Sequence, residues 1–115
     1  MAEADKPLVW LKGEVRSPPF AKEARVETGT LLRRLQGGEV LGLPVSRPMP
    51  SIGPRCHELR VRDRDHHWRI VYRTDKDAIV IVDVFAKKTG KTQVDLIAKC
   101  KARLRAYDEI ARGEQ

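Results

Sequence analysis

Three apolar stretches follow one another between Cys56 and Ala86, and nothing else in the chain restricts its possible folds so strongly. They are "CHELRVR" (56–62), "WRIVYRT" (68–74) and "AIVIVDVFA" (78–86), each of strand length and separated by short polar turns. Strands joined this closely pair antiparallel, because a parallel crossover needs about a dozen residues or more. An antiparallel meander is therefore expected.

Period-two alternation assigns its faces. In the first stretch Glu58, Arg60 and Arg62 oppose Leu59 and Val61; in the second Arg69, Val71 and Arg73 oppose Trp68, Ile70 and Tyr72. Pairing Arg62 with Arg69, Arg60 with Val71 and Glu58 with Arg73 buries both apolar sides together, whereas a one-residue slip drives arginines into the core. The third stretch is apolar on both sides, as befits a central strand, and Asp83 is its polar member. Setting Asp83 opposite Arg69 spares the cost of an unpaired carboxylate and brings Ile81 beside Val71. The result is an open sheet face carrying Arg60, Arg62, Arg69 and Arg73, offset by Glu58 and Asp83, with Phe85 near its edge.

The flanking segments complete a single small α+β domain spanning 1–115, a length that suits one core. "PLVWL" (7–11) is a further strand, closed by Gly13. Residues 17–38 read as a helix or helix pair, capped by Ser17 with a proline at its first position, spaced apolar at Phe20, Ala24, Leu31, Leu32 and Leu35, with Gly29 as a possible break. Residues 41–55, with four prolines and two glycines, read as loop. Residues 93–113 form an amphipathic helix whose stripe is Ile97, Cys100, Leu104, Tyr107 and Ala111, with Thr92 and Asp95 as a capping box. The expected order is strand, helix or helix pair, three-stranded meander, C-terminal helix, with the helices on one face of the sheet.

Charge narrows the function. The net charge is +7, and Lys87 to Arg105 alone holds seven basic residues and one acidic, so most of the excess sits there. Such a concentration suits a polyanion, and guanidinium groups suit phosphate. No apolar run approaches the roughly 18 residues of a membrane span, and "MAEADKP" is unlike a signal peptide, which makes a cytoplasmic protein the expectation. Cys56 and Cys100 lie 44 positions apart without CxxC spacing, and His57, His66 and His67 have no second ligand cluster, so no metal is expected. "FAKKTGKT" (85–92) is no phosphate loop of the nucleotide-binding kind, because Phe85 stands where that motif needs its first glycine.

"ELR", "WRIVY" and "VFAKKTGKT", with "VWLKG" and "LLRRLQGGE" before them, resemble the HigB-like, phage-derived toxins of the RelE/ParE superfamily over most of the chain. The resemblance implies a toxin of a type II toxin–antitoxin system that enters the ribosomal A site and cuts mRNA with the RNA's own 2′-hydroxyl. No cofactor is implied, and the partners are the ribosome, mRNA and a helix-turn-helix antitoxin. Carried over, Arg60 and Arg69 stabilise transition-state charge and form the catalytic set with Asp83 and Lys87. Arg62, Arg73, Lys88 and Lys91 hold the RNA, and Phe85 stacks on a base. Many relatives carry histidine where this chain has Asp83, which leaves the general acid and base open. Two other readings stand beside this one: a non-enzymatic ParE-like gyrase inhibitor, and an inactive phage-derived RNA-binding remnant.

Overall fold

The computed structural model describes residues 5–87 and 93–112. Its elements are β1 (Leu8–Trp10), α1 (Lys22–Gln36), β2 (Ser46–Pro48), β3 (Cys56–Arg62), β4 (His67–Thr74), β5 (Ile79–Ala86) and α2 (Gln93–Arg112). The strands form one sheet in the order β1-β5-β4-β3-β2, with β1 parallel to β5 and every other pair antiparallel. The α+β class and the central meander are as expected. The sheet is wider than the sequence suggested, because β2 forms inside the proline-rich segment expected to be loop. Pro48 ends that short edge strand, where the missing N–H costs no ladder bond.

The β3–β4 register differs from the expectation by two residues: Arg60 faces Arg69, Glu58 faces Val71, Leu59 faces Ile70 and Val61 faces Trp68. A two-residue shift preserves the pleat, so every side chain stays on its expected face. Between β4 and β5, Phe85 faces Arg69 and Asp83 faces Val71, which corrects the expected Asp83–Arg69 pairing. The register then steps, with Tyr72 facing Ile81, so Val82 is an extra residue in β5. Such a bulge turns two successive residues to similar sides and re-aims the second.

The two helices, expected on one face, pack against opposite faces. Phe20, Ala24, Leu31, Leu32 and Leu35 of the α1 region join Leu59, Val61, Trp68, Ile70, Tyr72, Ile79 and Ile81 in one core layer. Cys100 and Leu104 of α2 join Cys56, Val71, Val80 and Val82 in the other. A central strand apolar on both sides is what a doubly covered sheet requires, and β5 meets it.

α1 is unbroken through Gly29 and begins at Lys22, five residues after the expected cap. Residues 17–20 form a turn, and the cap comes from the β3–β4 connection instead. Asp63 Oδ2 accepts the Ala21 N–H at 2.9 Å and the Trp68 Nε1–H at 2.9 Å, while Oδ1 accepts the Arg64 N–H at 2.7 Å. The Phe20 ring stacks on Trp68 with centroids 4.0 Å apart, fixing α1 over the hairpin. After β1 the chain crosses β5 so closely that a Cβ on Gly13 would lie 2.7 Å from Val84 Cβ, and φ there is +86°. Only glycine meets both conditions. No helix among the described residues is long and apolar enough to cross a membrane.

Candidate nucleic-acid interface

The pairing of β2 to β5 arranges the charged side chains in cross-strand rows on the face that α2 covers in part. Arg60, Arg69 and Phe85 form one row across β3, β4 and β5. Arg62 and His67 form the next row outward, and the Lys87 N–H donates to the His67 carbonyl at 2.8 Å, so the ladder reaches Lys87. One row inward lie Arg47, Glu58, Val71 and Asp83. Residues of one face repeat at about 7 Å along a strand and strands lie about 4.8 Å apart, so the rows make a surface the size of a few nucleotides.

Burial divides these residues. Arg69 is 7% exposed and Glu58 3%, whereas Arg62 and Lys87 are exposed and Arg60 and Phe85 half-buried. Glu58 Oε1 lies 3.7 Å from Arg69 Nε and 3.5 Å from Arg47 Nη2, so one buried carboxylate serves two guanidiniums. Arg69 Nη1 also donates to the Trp68 carbonyl at 3.2 Å. Burial draws the Arg69 guanidinium below its usual value, Glu58 opposes that, and Arg60 and Arg47 reinforce it. A guanidinium keeps its proton at any physiological pH, so the depression reports first the burial of the cation and then its like-charged neighbours.

Asp83 is placed differently from the expectation. Its Oδ2 is 3.1 Å from Arg103 Nη1 of α2, and its Oδ1 accepts the Val84 N–H at 2.9 Å. Arg103 Nη1 donates in addition to the Val82 carbonyl at 3.3 Å, so the bulge is the anchor of α2 on β5. Arg73, expected to bind RNA, lies under α2 with its guanidinium held by two carboxylates. Nε donates to Asp75 Oδ1 at 2.7 Å and Nη2 to Asp108 Oδ1 at 2.8 Å. That bidentate pairing on both sides pushes its pKa up and occupies the group in joining β4 to α2. Lys88, Lys91 and the Thr92 cap lie outside the described residues.

The structure thus gathers Arg60, Arg69 and Phe85, sets Arg62 and Lys87 beside them, and separates Asp83 and Arg73 into contacts with α2. Sequence reasoning missed Arg47, whose strand was hidden by its prolines. Thiol chemistry has little place here. Cys56 and Cys100 are free and buried, burial pushes the Cys100 thiol up to about 12 and raises Cys56 as well, and both stay protonated at neutral pH.

Residues 19–105 match the profile of a family described as phage-derived protein Gp49-like. No curated protein matches the chain.

Proposed function

We propose a function that proceeds from family membership: this chain belongs to the phage-derived Gp49-like family, a toxin-like family, and acts as the toxin of a type II toxin–antitoxin system that cleaves mRNA on the ribosome. The observation that carries the reading is the Arg60–Arg69–Phe85 row, two guanidiniums and an aromatic ring on one rigid sheet face. A phosphodiester seated between Arg60 and Arg69 meets the charge complement that a phosphorane-like transition state needs, while Phe85 offers a surface for an unstacked base. Arg62 and Lys87, one row outward and exposed, take the adjoining backbone phosphates. The attacking group is the RNA's own 2′-hydroxyl, and the ribosome presents it in line. A helix-turn-helix antitoxin restrains the toxin by binding it.

Asp83 favours a second reading in which RNA is bound but not cut. Both its oxygens are engaged, by Arg103 and by the Val84 amide, which suits an anchor for α2 better than a proton acceptor. In the cleaving protein the 2′-hydroxyl proton passes to solvent or to a ribosomal group as the 2′-oxygen bonds to phosphorus. The bond from phosphorus to the 5′-oxygen breaks to leave a 2′,3′-cyclic phosphate, and solvent or a ribosomal group protonates the departing 5′-oxygen.

Induced expression with mapping of mRNA 5′ ends separates the readings. Codon-phased cleavage in translated messages is expected, together with its loss in the Arg60→Ala/Arg69→Ala double variant at unchanged circular dichroism. Cleavage that survives the double change overturns the site. Growth arrest with DNA-damage signalling and intact messages indicates a gyrase inhibitor, and RNA binding without cleavage indicates the second reading.

A further inference from the structure

Two guanidiniums meet one carboxylate on the sheet, and a third stands beside them. Arg47 pairs across β2–β3 with Glu58, Arg69 reaches the same Oε1 from β4, and Arg60 stands across from Arg69. Glu58, Arg60 and Arg47 are the charged groups that act on Arg69, so the cluster carries three positive charges against one negative. Buried charge without a partner is costly, and this excess sits around an arginine that is nearly buried.

Arg47 is the least satisfied member. Its Nε is buried and has no hydrogen-bond partner among the described residues. Its Nη2 lies 3.5 Å from Glu58 and 3.6 Å from Met49 Sδ, a long contact and a weak acceptor. Yet its side chain as a whole is 42% exposed, so part of it borders solvent while Nε is buried. A fork whose Nε is unpaired and whose Nη2 is held only by long contacts, beside an excess of positive charge, is weakly committed to its present partners and suited to a phosphate.

We propose that Arg47 is the third arm of a phosphate-binding site formed with Arg60 and Arg69, releasing Glu58 to Arg69 when a phosphate group of single-stranded RNA enters. The exchange reduces the excess: Glu58 keeps Arg69 in place beside the phosphate, the phosphate takes Arg47 and Arg60, and three positive charges then face two negative ones. This deepens the functional reading above and rests on it for the choice of RNA, although the anion site itself rests on the cluster alone.

The test uses two probes with the purified full chain: inorganic phosphate, and a short single-stranded RNA with a 2′-O-methyl group at every position so that it cannot be cut. Arg47→Gln keeps the stem and removes the charge, Arg47→Lys keeps the charge and removes the fork, and Arg55→Ala removes an exposed arginine that pairs with Asp75 outside the cluster. Arg47→Gln is expected to weaken oligonucleotide binding about tenfold, the scale of a charged hydrogen bond. The slope of log affinity against log salt should fall by about 0.7, one phosphate contact on a single strand. Arg47→Lys is expected to keep the slope at reduced affinity, and Arg55→Ala to change neither. Wild-type binding in Arg47→Gln overturns the proposal, as does an equal loss in Arg55→Ala. Phosphate binding that depends on Arg47 without any binding of the oligonucleotide sustains the site and sinks the RNA reading. Failure of the wild-type protein to bind either probe overturns both.

Discussion

A buried arginine is informative about what it touches. Arg73 and Arg69 lie on the same strand and face, four residues apart, yet the first is saturated by Asp75 and Asp108 while the second has part of one carboxylate. Arg73 is therefore structural, and Arg73→Ala, which leaves two carboxylates facing each other, is expected to cost about 3 kcal/mol in urea unfolding. If the loss is below the scatter of such measurements, the Asp75–Arg73–Asp108 bridge does not hold α2. The sequence displayed the charge of both arginines and the pleat that put them on one face. It did not display which half of that face a helix would cover, because α2 carries its own acidic residue, Asp108, to meet Arg73 from a distant part of the chain. Arg47 was hidden differently. Three residues bounded by prolines give no periodic signal, and only the pairing of Arg47 with Glu58 shows that they are a strand.

At the scale of elements, period-two reasoning located the meander within a residue or so, while the registers were wrong by two residues or displaced by the bulge at Val82. A shift by two leaves the burial pattern unchanged, so hydrophobicity alone cannot choose between such registers. The start of α1 was misplaced because its cap is non-local: Asp63, on the β3–β4 turn, substitutes for a Ser17 that lies outside the helix. Three hydrogen bonds to its oxygens hold the Asp63 carboxyl below the usual carboxylate range, with the Ala21 N–H the strongest cause. A carboxyl whose pKa is depressed by folding stabilises the fold fully above its unfolded value, about 4, and loses that contribution as the pH falls through the lower folded value. Asp63→Asn is thus expected to melt at a lower temperature than the wild type at pH 7. The gap should close as the pH falls below about 4. Equal melting temperatures at pH 7 would show that Asp63 does not secure α1.

For the whole molecule, the sheet is closed on one side by β1, which covers an edge of β5 that would otherwise offer unpaired backbone. Ile79, Val80 and Ile81 of β5 are fully buried, and they are the residues β1 pairs with. Deleting the chain through Leu11 therefore presents a long apolar edge, and the product is expected to aggregate or elute as higher oligomers in size-exclusion chromatography. A monomeric truncated protein with the wild-type circular dichroism spectrum would show that β1 is dispensable.

The same pairing joins Leu8 to Ile79, which follows it much later in the chain. Closing so large a loop is slow and entropically demanding, and it can only begin once the distal strand exists. Phe85 completes the arginine row from that same distal strand. Until β5 has been synthesised the Arg60–Arg69–Phe85 row is incomplete, so the order of translation itself delays completion of the proposed phosphate-binding surface.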